Sequence, residues 1–188
     1  MSLFEYLTVA ISIVLSMSIV RSLEAVGDVL DPARRDRIHL IWFLVKAFEP
    51  ALVWWSIWGL QDEASWTYPS FLLCLSGPVL LFFQITTLTT REPDDVADWG
   101  THFMAARRRF FGGFIASSWT GPALVASFGH MDEAGMLLIV AAVDTAIGAT
   151  GIASTNRRLH LALATLIVVR LLLATAAIYE PIGPDGLA

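Results

Sequence analysis

The sequence predicts an all-α integral membrane protein that crosses a bilayer six times, and three observations predict it. Of the 188 residues, 56% are hydrophobic and 15% are charged, more apolar surface than one soluble core of this length can bury. Six apolar stretches are each long enough, at about 1.5 Å per residue, to cross about 30 Å of hydrocarbon. Basic residues gather in alternate connections. The stretches lack the alternation of barrel strands, and helices satisfy every backbone group within lipid. Residues 1–188 therefore read as a single six-helix transmembrane domain.

In chain order the predicted spans are 3–25, 38–60, 68–88, 110–128, 134–153 and 159–179. The first opens with MSLFEY, with no positive n-region before it and no small-residue cleavage site after it, so it reads as a retained helix. At the end of the second, Trp54, Trp55 and Trp58, with Trp66 ahead of the third, form the aromatic belt expected at a membrane interface. The third holds Cys74, the one cysteine, which excludes an intrachain disulfide and reads as a packed thiol. Before the fourth, Val96, Trp99 and Phe103 recur at helical spacing opposite Asp98 and His102, followed by Arg107, Arg108 and Arg109. That pattern predicts an interfacial amphipathic helix whose arginines meet anionic headgroups. On the fifth, Ala141, Ala142, Thr145, Gly148 and Ala149 predict close helix packing or a homo-oligomer interface.

The 12 Lys and Arg orient the spans. Arg21, Arg34, Arg35 and Arg37 fall at the first connection, Arg91 and Arg107 to Arg109 at the third, and Arg157 and Arg158 at the fifth. The second and fourth connections and the C-terminal tail carry acids and no Lys or Arg. By the positive-inside rule both termini lie outside. The segments SLFEYLTVAISIVL and WWSIW, and the polar turn before WTYPSFLL, resemble those of uncharacterised small tryptophan-rich polytopic inner-membrane proteins of bacteria. That resemblance implies a multi-pass helical protein of the bacterial inner membrane and carries no function with it.

Four ionisable side chains lie well inside spans: Lys46, Glu49, Asp144 and Arg170. Each costs roughly 2.5–3.5 kcal/mol at a helix centre, so they are expected to pair and to face protein or water. Counting about 1.5 Å per residue from the outer ends puts Glu49, Asp144 and Arg170 near a common depth of about 15 Å. Lys46 sits one turn further in, on Glu49's face, and Asp144 with Arg170 is the expected pair. Pro50, Pro78 and Pro122 fall near this layer and are expected to break their helices. Gln84, Thr86 and Thr87, with Ser117, Ser118 and Thr120, are candidates for a polar path, the alternative being bonds to their own backbone.

These features predict a small channel or carrier for protons or another small ion, with Glu49 and Asp144 as protonatable groups and Lys46 and Arg170 as their counter-charges. Asp62, Glu63, Asp132, Glu133 and Glu180 would enrich cations at the outer mouth. A variant would bind an anion on Lys46 and Arg170. One alternative is an accessory, sensory or assembly subunit whose charges only lock helices. Another is electron transfer on a b-type haem, because His39 and His160 follow cytoplasmic arginines at equal depth, as axial ligands would. No nucleophile elbow, HExxH, cysteine pair or phosphate loop is present, which argues against an enzyme without excluding one. His130, Asp132 and Glu133 suggest an outer metal site only weakly, a solvated turn being the plainer reading, so no metal is assigned. Expected partners are membrane lipids and a small ion or solute, not nucleic acid.

Overall fold

A computed structural model describes residues 3–132 and 134–178; Glu133, Tyr179 and Glu180 lie outside the described residues. These residues form seven α-helices and one 3-10 turn, and no strand occurs among them. The helices are α1 (Leu3–Leu30), α2 (Arg37–Trp58), α3 (Tyr68–Leu88), α4 (Trp99–Ser118), α5 (Thr120–Ser127), α6 (Gly135–Ala153) and α7 (Arg157–Ile178), with the 3-10 turn at Pro93–Asp95. Five of them, α1, α2, α3, α6 and α7, are long and apolar enough to cross a membrane. The chain is an integral membrane protein.

Local sequence explains the starts. Asp36 caps α2, its carboxylate accepting from the Ile38 and His39 amides, and Asp98 caps α4 by accepting from the Thr101 amide. Thr67 and Ser70 form a capping box at α3, satisfying donors the first turn leaves free.

Helix α1 runs five residues beyond the predicted end at Ala25. Its apolar period continues there although the unbroken apolar run does not: Ala25 and Val29 pack against Phe43, Val96 and Trp99. The segment predicted as an interfacial helix runs from Val96, just after the 3-10 turn, into the start of α4. Val96, Trp99 and Phe103 are buried within the protein, and the helix runs unbroken through the arginine triplet to Ser118.

Of the three prolines, only Pro122 accompanies a break. Proline has no amide hydrogen and displaces the carbonyl four residues earlier, here that of Ser118. The helix stops there, the Trp119 amide bonds the Ala116 and Ser117 carbonyls, and α5 begins at Thr120. Pro50 and Pro78 are buried inside α2 and α3, which continue through them.

Around the bundle, contacts run α1, α3, the α4–α5 pair, α6, α7, α2 and back to α1, with α2 also touching α3 and α4. Both α2 and α4 thus face the interior. Their meeting is aromatic: Trp42 packs edge-on against Phe110, Phe111 and Phe114 at 5.0, 5.3 and 5.7 Å. The small residues of α6 admit α4 closely. A Cβ on Gly148 would lie 2.4 Å from Ile115 Cγ1, and one on Gly151 would lie 2.4 Å from Phe111 Cε2.

The connections sort into two ends. At one, Arg34 Nη1 donates to the Pro93 carbonyl at 2.7 Å, the Trp99 amide to the Arg34 carbonyl at 3.0 Å, and Trp99 Nε1 to the Asp28 carbonyl at 2.8 Å. Arg157 pairs with Asp36 at the same end. At the other, Trp66 packs on Phe128 at 5.0 Å and His130 Nε2 lies 3.3 Å from Glu63.

Candidate functional site

Helix geometry sets the charges within the helices. Lys46 and Glu49 are one turn apart on α2, and Lys46 Nζ lies 2.7 and 2.8 Å from the two Glu49 oxygens. From α7, Arg170 Nη1 reaches Asp144 Oδ2 on α6 at 3.1 Å. The pairs are close enough to act on each other: Lys46 interacts electrostatically with Asp144 and Arg170, and Asp144 with Lys46 and Glu49. All four charges therefore belong to one neutral cluster among α2, α6 and α7. A buried ion pair is retained only when its partner and remaining hydrogen bonds offset desolvation.

Burial within the cluster is uneven. Lys46 and Asp144 have side chains 2% exposed, against 21% for Glu49 and 37% for Arg170. The Lys46 ammonium also stands 4.8 Å over the Phe114 ring of α4, a cation–π contact that strengthens where water is absent. Asp144 Oδ1 is enclosed and has no hydrogen-bond partner among the described residues. Phe114 and Trp42 were not candidates in the sequence. Yet His39, Trp42 and Lys46 stand at i, i+3 and i+7, so the inward face of α2 was readable as one stripe.

The polar residues of α3 and α4 do not join into a path. Thr86 and Thr87 both donate to the Phe83 carbonyl, Ser117 to Phe114, Ser118 to Ile115 and Thr120 to Ser117, each within its own helix or across the α4–α5 break. Only Gln84 crosses, donating to Ser117 Oγ at 3.1 Å while its Oε1 stays enclosed without a partner. Short hydroxyl side chains in a helix reach the carbonyl three or four residues back more readily than a neighbour.

His39 and His160 are fully buried, but they do not fit axial ligation of a haem. Nε2 of His39 is 2.7 Å from the Leu88 carbonyl and Nε2 of His160 is 3.0 Å from the Ser154 carbonyl. Phe103 packs edge-on against both rings, its centroid 6.5 Å from His39 and 5.7 Å from His160. Trp99 stacks on His39 at 4.8 Å. At the opposite end His130 turns toward Glu63 rather than Asp132, and no metal-holding group of three His, Cys, Asp or Glu occurs among the described residues. The Glu63 carboxyl is held below its ordinary value by hydrogen bonds from Ser65, with His130 adding to the effect.

No protein-family model, no curated protein and no solved structure matches the chain.

Proposed function

We propose that this protein is a small membrane carrier or channel for protons or another small ion, worked by the cluster Lys46, Glu49, Asp144 and Arg170. The observation that carries the reading is Asp144: a carboxyl enclosed near mid-span, bonded to Arg170 through one oxygen and unpartnered at the other. Desolvation favours the neutral form of such an acid and adjacent cations favour its anion. A group held between those influences loads and releases a proton with small changes in hydration. Neutrality of the cluster supports the same reading, because one added proton changes its charge by a full unit in a low-dielectric layer.

In this reading the α4–α5 pair is the fourth span and brings the total to six, interrupted near Pro122 as membrane helices at ion sites often are. The Arg-rich end, with Arg107 to Arg109 against anionic headgroups, faces the cytoplasm of a bacterium, and both termini lie outside. Proton flux into liposomes carrying an internal pH dye, under an imposed potential, tests it. Wild type conducts, and Glu49→Gln and Asp144→Asn each lower the flux at least tenfold. Flux no greater than that of empty liposomes would overturn the reading.

One observation favours a second function, an accessory or assembly subunit without transport: the hydroxyls of α3 and α4 are consumed by their own backbone. A silent wild type that co-purifies with a partner protein would support it.

A further inference from the structure

Two buried imidazoles present bare basic nitrogens to the aromatic interior between the Arg-rich end and the charge cluster. A carbonyl oxygen only accepts, so the Leu88 and Ser154 carbonyls fix the proton of each neutral ring on Nε2. Nδ1 is then a lone-pair acceptor in both. Nδ1 of His39 and Nδ1 of His160 are enclosed and have no hydrogen-bond partner among the described residues. A histidine buried only for packing ordinarily satisfies both nitrogens.

One of the other unpartnered atoms complements them. Trp42 Nε1, a donor only, is enclosed in the same interior, where Phe111 stacks on His160 at 5.8 Å and meets Trp42 edge-on at 5.3 Å. Along α2, His39, Trp42 and Lys46 climb one face from the Arg-rich end to the cluster, a rise of about 10 Å. Two acceptors, one donor and Asp144 Oδ1 are thus enclosed without partners between the Arg-rich end and the cluster, the complement that transient waters bridge.

We infer that His39 and His160 are the proton acceptors on the Arg-rich side of the path to Asp144, an inference that rests on the carrier reading. In the step, Nδ1 of a neutral imidazole takes a proton from hydronium, giving imidazolium and water. The imidazolium returns the proton through water to the Asp144 carboxylate, giving the neutral acid and the neutral ring, and the Nε2–H bond to the carbonyl persists throughout. The charged groups facing His39 are Asp36 at the α2 cap, Asp98 at the α4 cap and the His102 ring at 6.3 Å, with Arg157 held on Asp36. Arg157 and Arg158 precede His160 on α7. Phe103 and Phe111 pack against these rings, so entry of water requires a ring to swing aside.

The test compares proton flux through wild type, His39→Gln and His160→Gln in liposomes, driven from the Arg-rich side. Glutamine keeps a donor for the carbonyl and offers no titrating nitrogen. Each variant is expected to lose flux at least tenfold. Nitrogen-15 spectra of wild-type histidines give a readout independent of any variant's folding: both rings start as Nε2–H tautomers and gain a proton on Nδ1 over the pH range in which flux changes. Wild-type flux with both variants unimpaired, or rings that stay neutral across that range, overturns the relay and leaves the Asp144 carrier standing. A silent wild type overturns both.

Discussion

Arg170 Nη1 lies 3.1 Å from Asp144 Oδ2 although α6 and α7 share few contacts beyond their hairpin. The guanidinium therefore spans a gap between the helices, and Asp144, 2% exposed, has no other cation within bonding distance among the described residues. Arg170→Gln leaves an uncompensated buried carboxylate, at a cost of roughly 3 kcal/mol for breaking such a pair from one side. Adding Asp144→Asn to it removes that charge and recovers part of the loss. Unfolding in mixed detergent and dodecyl sulfate measures both, and a double mutant no more stable than Arg170→Gln alone would show that the pair does not act as a unit.

The interface of α4 and α6 makes a sharper steric prediction. A Cβ on Gly151 meets three atoms of the Phe111 ring within 2.6 Å, and one on Gly148 meets Ile115 at its branch. Neither neighbour can yield through a flexible chain end. Overpacking of this kind costs about 1–3 kcal/mol, so Gly148→Ala and Gly151→Ala are each expected to lower the thermal midpoint, whereas Gly112→Ala, with open space around it, is not. Equal midpoints in all three would refute the contact.

The class of protein and the identity of the buried charges were legible in the sequence, because apolar length and misplaced charge are local signals. Pairing of Asp144 with Arg170 followed from hairpin register. The split near Pro122 was half legible: the proline marked the place, but Pro50 and Pro78 gave the same mark inside helices that continue. What separates the three is tertiary packing, which a local pattern does not contain. Periodicity also found the apolar face of Trp99 and Phe103, which the protein buries, but could not name its partner, since lipid and a protein interior select the same side chains. The partners of His39 and His160 were not legible either, because the Leu88 and Ser154 carbonyls and the Phe103 ring come from other segments of the chain.

The cap of α4 predicts a pH dependence. Asp98 accepts from the Thr101 amide at 2.7 Å and from Thr101 Oγ1 at 2.8 Å, and these bonds hold its carboxyl below the ordinary 3.8. A depressed folded-state value means the cap contributes fully above the unfolded value and is lost as pH falls through the folded one. Asp98→Ala is therefore expected to cost about 1 kcal/mol at neutral pH. Its deficit against wild type should shrink below about pH 4, where the wild-type acid begins to protonate. A deficit constant from neutrality to pH 3 would assign the effect to something other than the ionised cap.

Orientation is the remaining prediction, and it rests on how the connections gather at the two ends of the bundle. Arg34 bonded to Pro93, Trp99 bonded to Asp28 and Arg157 on Asp36 gather three connections at one end, while Glu63 with His130 and Trp66 with Phe128 gather two at the other. A single accessible position at each end therefore reports on all of them. The basic side chains cluster at the first end, and translocating them costs more than retaining them. In intact cells, with Cys74 replaced by alanine, cysteine at Gln61 is expected to react with a membrane-impermeant maleimide and cysteine at Asp94 is not; both should react after permeabilisation. The reverse pattern would place the Arg-rich end outside and turn the proposed direction of proton entry around. Labelling of both in intact cells would mean that the two ends do not lie on opposite sides of the bilayer.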